Sequence, residues 1–231
     1  MHPEILHEDN HLVIVNKPNG VLTHGDKTGD PTMEEFVKAY IKEKYNKPGN
    51  VFIKAAHRID RPVSGVLVLG RTSKGHERMT RLFHDRQVRK TYWALTTRCP
   101  SPERGRVVQY LVKDYDRNVV DWHDDPVQGG KKAITDYEVH GFADPFYLIR
   151  LFPLSGRSHQ LRVMLRSKRC PIAGDVKYGG RKISNPQALL LHAWTLSFEH
   201  PVKRELLTIS APVPDLAEWQ LTTSVLPVPR D

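Results

Sequence analysis

His57-Arg58-Ile59-Asp60-Arg61-Pro62-Val63-Ser64-Gly65 runs directly into Val66-Leu67-Val68-Leu69-Gly70. The second half is a short apolar run between glycines, the pattern of a strand buried inside a sheet. The first half is the opposite, a polar turn that sets one carboxylate between two guanidinium groups. A central strand fed by a charged loop is therefore the element to build on. Upstream, His11 to Val15 reads as a second buried strand, ended by the turn Asn16-Lys17-Pro18-Asn19-Gly20. Thr32-x-x-Glu35 is a capping box, and Met33, Phe36, Val37, Tyr40 and Ile41 follow the spacing of an amphipathic helix. Downstream, Thr72 or Ser73 caps a helix to about Arg86, with Met79, Leu82 and Phe83 on its apolar side and Lys74, Arg78 and Arg81 sharing another face. Thr91 to Thr97, Ile134 to His140 and Phe146 to Phe152 read as further strands, followed by a helix capped by Ser158. Strand clusters with separated helices predict an α+β fold with a mixed, mostly antiparallel sheet.

The 231 residues contain 35 Lys and Arg against 26 Asp and Glu, a net charge of +9. The excess is local. Residues 51 to 110 hold 13 basic and 4 acidic side chains, and residues 151 to 183 hold 8 and 1, while the remaining segments are net acidic. Two basic stretches brought together by folding would make a cleft for a polyanion. Stretches such as Leu12 to Val15 are far shorter than the roughly 20 apolar residues of a spanning helix, so no membrane partner is expected. The opening MHPEILHEDN has no hydrophobic core of a secretory signal, and a cytoplasmic protein is the default. Cys99 and Cys170 form no zinc spacing and no disulfide framework, and the 12 histidines show no metal-binding pattern. No linker or repeat divides the chain, which predicts one compact unit, with a monomer as the default.

Chemistry concentrates in the basic stretches. Positive neighbours favour an ionised Asp60, available as nucleophile or base, although the same pattern fits a structural ion pair in a turn stiffened by Pro62. In Ser155-Gly156-Arg157-Ser158-His159-Gln160-Leu161-Arg162-Val163-Met164-Leu165-Arg166, a helix starting at Ser158 would place His159, Arg162 and Arg166 on one outward face, either for phosphates or simply for solvent. In Lys90-Thr91-Tyr92-Trp93-Ala94 alternation separates Tyr92 from Trp93, so one ring can stack on a base while the other enters the core.

Taken together these motifs resemble the RluA-type pseudouridine synthases. HRIDRPVSG resembles that family's HRLDxxTSG loop, KTYWAL its K-x-Y-x-A strand, and SGRSHQLRVML its TGRTHQIRVHL segment. Val13 to Val21, Pro171 to Asp175 with Tyr178-Gly179, and Leu190 to Ala193 through Phe198, His200 and Pro201 follow in the family's order. The resemblance covers about residues 4 to 214. It implies a single pseudouridine synthase catalytic domain over residues 1 to 231 without an N-terminal S4 module, as in the RluA and TruC branches. It further implies an isomerase that needs no cofactor and no metal, acting on a uridine in structured RNA, either tRNA or ribosomal RNA or both. Asp60 would be the nucleophile, Arg162 its partner, and Tyr92 the group that contacts the extruded uracil and helps remove its C5 proton. Arg58 would fill the gap left by the flipped base. Arg61, Lys90, Arg157, His159 and Gln160 would be further RNA contacts. Ile59, Val63 and Met164 replace the more usual Leu, Thr and His. The Met164 exchange removes any RNA contact made by that His. The alternative is a catalytically silent RNA-binding protein of the same fold, but a carboxylate in a basic cleft repels phosphate and serves a pure binder poorly.

Overall fold

The computed structural model describes residues 1–226. In chain order its strands and helices begin with β1 (Glu4–Glu8), β2 (Leu12–Lys17), α1 (Met33–Lys44), β3 (Lys54–Ala55), β4 (Ser64–Gly70) and α2 (Ser73–His84). They continue with β5 (Arg89–Thr96), β6 (Arg104–Asp114), β7 (Val119–His123), β8 (Lys131–Ala143), β9 (Phe146–Pro153) and α3 (Gln160–Ser167). A 3-10 turn at Val176–Tyr178 precedes β10 (Leu191–Glu199), β11 (Leu206–Ser210) and α4 (Ala217–Gln220). The chain groups into two compact units, one formed by Met1–Arg89 with Ala193–Val213, the other by Lys90–His192 with the segment from Pro214 onward.

In the first unit β4 is the hub. It pairs antiparallel with β2 on one edge, with Ile14 opposite Val68, while the short β3 lies antiparallel to its far end through Ala55 opposite Leu69. β1 adds to β2, and β10 neighbours β4 and carries β11. The continuous apolar runs have a simple cause, because both sheet faces are covered. Val13, Val15, Leu67 and Leu69 pack with Met33, Val37 and Ile41 of α1. Leu12, Ile14, Val66 and Val68 face the other way, onto Met79, Leu82 and Phe83 of α2. Each such side chain, fully withdrawn from water, contributes about 1.5–3 kcal/mol.

The predicted caps hold for both helices of this unit. Thr32 and Glu35 form the reciprocal capping box, at 3.2 Å from Glu35 N to Thr32 Oγ1 and 2.8 Å from Thr32 N to Glu35 Oε2. Thr72 caps α2 through Gly75 N, and the helix ends two residues earlier than expected because Arg86 turns left-handed at φ 59°. The basic face of α2 is partly engaged within the protein. Arg78 donates to Pro201 O, and Arg81 pairs with Glu77.

The second unit is an antiparallel run in the order β5-β9-β8-β6-β7, with Tyr92 opposite Leu151 and Tyr137 opposite both Leu151 and Gly105. Val163 of α3 packs with Leu111, Val120, Ala133 and Tyr178. The expected Ser158 cap gives way to His159, which adopts φ 52° and makes no side-chain cap bond. Gln160, the first helical residue, instead ties down the loop before the helix, its Oε1 accepting from Arg157 N at 3.0 Å. Cys170 is buried and burial pushes its thiol up to about 12, which leaves it an inert core group.

Candidate active site

The segment between β3 and β4 carries Asp60, and the turn after β2 holds it. Lys17 ends β2 with no solvent exposure, and its Nζ donates to the carbonyls of Pro18, Val21 and Arg61 at 2.9, 2.8 and 3.1 Å. Gly20 N donates to the same Arg61 carbonyl at 2.9 Å. Asn19 Nδ2 donates to Pro62 O at 2.6 Å, and Thr23 Oγ1 to Ile59 O at 3.0 Å. The carbonyls of residues 59, 61 and 62 are thus pinned from one side, and Val63 N closes the turn onto Asp60 O at 3.0 Å. Asp60 itself is half-buried, Arg58 is exposed, and Ile59 and Val63 are buried.

Gly65 marks the end of the loop. It has φ +116°, and a Cβ there would stand 2.2 Å from Ala193 O, so no other residue fits without moving backbone. The Ser-Gly pair that closes the motif is a packing requirement.

Lys17 is also an electrostatic element. Burial pulls its ammonium down to about 7, opposed by the Asp60 carboxylate and reinforced by the Arg61 guanidinium. Between about pH 7 and the ordinary lysine value of 10.5 the unfolded chain carries this proton more than the folded one, so stability rises with pH across that window. Below the folded value both states are charged and the contribution is flat. Lys17→Met is expected to remove that slope. Denaturant midpoints of both proteins at about pH 6, 7.5 and 9 should show the wild type gaining on the variant as pH rises, whereas parallel curves would reject the assignment.

In the second unit, Arg162 is buried at 6% exposure in place of the outward cationic face expected from helical spacing. Its Nε and Nη2 form a two-pronged pair with Asp175, at 2.8 Å to Oδ2 and 2.7 Å to Oδ1. Its guanidinium carbon lies 5.1 Å from the centre of the Tyr178 ring, and Arg166 covers the rings of Tyr178 and Trp122. Tyr178 Oη accepts from Val120 N at 2.8 Å and shares a hydrogen bond with His159 Nδ1 at 2.6 Å. The turn presenting Asp175 is closed by Gly174 N to Arg181 O and Gly180 N to Asp175 O. A Cβ on Gly180 would stand 2.0 Å from Ile172 O.

Two of the residues expected to contact RNA are engaged within the protein. Gln160 is 5% exposed and its amide is fully engaged, accepting from Ser155 Oγ and Arg157 N and donating to Ile134 O and Thr135 Oγ1. His159 is 9% exposed against Tyr178. Both build the loop before α3 and do not face solvent. Arg61 is half tied, with Nε to Gly20 O and Nη1 to Asp30, and Lys90 Nζ donates to Ser155 O. Arg157 is exposed, and its Nε donates to Lys132 O at 3.1 Å. Of the two rings on β5, Trp93 is the core member and Tyr92 is half-buried. Met164 is 1% exposed, so at this position the chain has a core residue.

Sequence reasoning gave no role to Lys17 or Asp175. Asp175 had a signal, as the one acidic residue among eight basic ones between positions 151 and 183. Lys17 had none, since a lysine ending a strand is ordinarily solvated.

A family model described as RNA pseudouridylate synthase matches residues 11–167. The chain is 33% identical over 217 residues to the dual-specificity RNA pseudouridine synthase RluA of Pasteurella multocida, covering 90% of this chain and 92% of that one. It is 34% identical over 220 residues to the protein of the same name from Escherichia coli, with the same coverage. Among solved structures, human RNA pseudouridylate synthase domain containing 4 aligns with a TM-score of 0.77 at 28% identity, over 92% of this chain and 89% of that one. A buried strand pair flanked by helices on both faces, a pinned carboxylate loop and these matches converge on one assignment. The chain belongs to the RluA-type RNA pseudouridine synthases, isomerases that convert uridine in RNA to pseudouridine.

Proposed function

We propose that the protein isomerises a uridine in structured tRNA or ribosomal RNA, or in both, with Asp60 as nucleophile and without a cofactor. The observation that carries this reading is the loop around Asp60. Three of its backbone carbonyls are fixed by Lys17, Asn19 and Thr23, which holds the carboxylate in place while Arg58 stays exposed beside it. Preorganisation of this kind is what a reacting group needs and what a phosphate-binding surface does not.

Asp60 attacks the target nucleotide and the N1–C1′ bond breaks; the uracil rotates, a C5–C1′ bond forms, and the bond to Asp60 breaks so that the free carboxylate returns. The C5 proton leaves and N1 gains one, so the reaction balances with no redox partner. Tyr92 stands against the uracil, and Arg162 is held in place by its two-pronged pair with Asp175. Arg58 occupies the space vacated by the flipped base, where inserting a side chain offsets part of the lost stacking. Arg61, Lys90 and Arg157 retain weaker roles on the phosphates. The Pasteurella multocida and Escherichia coli relatives are named as dual-specificity synthases, which supports testing both RNA classes.

The loss of the C5 hydrogen supplies the test. Transcripts of tRNA and ribosomal RNA labelled with tritium at uridine C5 are expected to release label into water with the wild-type protein. Release from one class identifies the substrate. Binding to both without release would replace this reading by the silent RNA-binding one.

A further inference from the structure

The ladder between β3 and β4 ends in an unusual way. Its rungs join Lys54 to Gly70 and Ala55 to Leu69, and Ala56 N then donates to Val68 O at 2.9 Å. The next main-chain group that needs a partner is the Val68 N–H. It donates instead to a side chain, the Nε2 of His57, at 3.1 Å. The imidazole stacks on Phe83 of α2, with ring centres 4.2 Å apart and planes inclined by 26°. Phe83 in turn packs against the core cluster that contains Val68 and Met79.

We infer that His57 is a positioning residue, whose ring supplies the last rung of the β3–β4 ladder and so sets where the Asp60 loop leaves the sheet. This deepens the reading of Asp60 as the nucleophile and rests on it. Chain geometry is the reason. A main-chain rung at this place would carry residue 57 onward as strand and keep Arg58 within the ladder. A side-chain rung satisfies Val68 while releasing the backbone, so the chain turns away after a single residue. The loop then has a fixed entry at His57, three pinned carbonyls at residues 59, 61 and 62, and a fixed exit at Gly65. Asp60 and Arg58 lie within the first part of that span. The stack on Phe83 limits rotation of the ring, which keeps Nε2 aimed at Val68.

The experiment compares wild type, His57→Leu and His57→Gln, with Asp60→Ala as the inactive control. Leu retains apolar contact with Phe83 and removes the acceptor, while Gln places a carbonyl oxygen within similar reach of Val68. Hydrogen exchange at the Val68 amide and in residues 58 to 63 is expected to quicken in His57→Leu and to slow again in His57→Gln. Tritium release is expected to show a kcat about tenfold or more below wild type for Leu, with KM for RNA changed much less and most of kcat restored by Gln, since misplacement of a reacting group acts on turnover. A general structural defect would move KM and melting temperature together and would not be rescued by Gln. Unchanged exchange at Val68 in the Leu variant overturns the inference. Faster exchange with an unaltered kcat overturns it equally. If the wild type itself releases no tritium from any RNA, the substrate reading fails, and exchange in the loop still decides whether His57 sets it.

Discussion

Asp60→Ala is expected to lower pseudouridine formation by about 10⁴-fold or more, the scale on which loss of a covalent nucleophile is felt. RNA affinity should stay within about tenfold, because the carboxylate makes no favourable phosphate contact and its removal takes a negative charge out of a basic surface. Asp60→Asn should behave alike, which separates charge and nucleophilicity from shape. The loop is expected to survive both changes. Its fixed points are backbone carbonyls of residues 59, 61 and 62, none of which belongs to the substituted side chain. Lys17 would report the change from beneath, since the Asp60 carboxylate is what opposes the effect of burial on its ammonium. Tritium release, filter binding and a thermal melt on the same preparations test all three expectations. Turnover by Asp60→Ala would remove the nucleophile assignment.

Asp175→Ala is expected to be the most destabilising single change at the site. Asp175 and Arg162 are 1% and 7% exposed at their side chains, and two hydrogen bonds of 2.7 and 2.8 Å join them. Removing the carboxylate leaves a guanidinium buried without its fork of oxygens, a loss of about 3–5 kcal/mol by analogy with other broken buried pairs. The Tyr178 ring under Arg162 softens this in part, because a cation over an aromatic face is worth about 2 kcal/mol or more when desolvated. Asp175→Asn, which keeps an acceptor, should fall between. The double variant Asp175→Leu with Arg162→Met should recover much of the stability, since a buried pair replaced by apolar groups is often neutral. It should recover none of the activity. Denaturant midpoints give the stability arm, and tritium release gives the other. A loss below about 1 kcal/mol in Asp175→Ala would mean that the pair contributes little to holding α3.

The scaffold of the first unit was legible because its signals are local. Thr32 and Glu35 announce a helix start without reference to anything distant, and four apolar residues between Gly65 and Gly70 announce a covered strand. β6 and β7 escaped notice because Arg104 to Asp114 is exposed over much of its length and mixes charges with valines, leaving no clean alternation. The active-site motif was legible as a set of residue types, but partners distant in sequence were not. Helical spacing put Arg162 on an outward face, since spacing cannot show that the turn at residues 174 to 180 brings a carboxylate beneath it. The same blindness put His159 on that outward face and left Gln160, an RNA contact by resemblance alone, without its partners. Their polar atoms are instead engaged by Tyr178, Ser155, Arg157 and the β8 backbone, contacts that span up to 26 residues.

The first unit is assembled from Met1–Arg89 and Ala193–Val213, and this split governs the order in which it can be completed. When the first 89 residues have left a ribosome, β4 has its β2 edge paired, while the strand that neighbours its other edge lies about a hundred residues away in the uncompleted chain. Pairing across such a separation is slow, because the loop must be closed before contacts form. The segment from Ser64 to Leu67, immediately after the Asp60 loop, therefore waits as an open apolar edge until Ala193 arrives to meet Gly65. During that interval it is a sticky surface on a growing polypeptide. Any truncation upstream of β10 that looks harmless on the sequence leaves that edge open permanently.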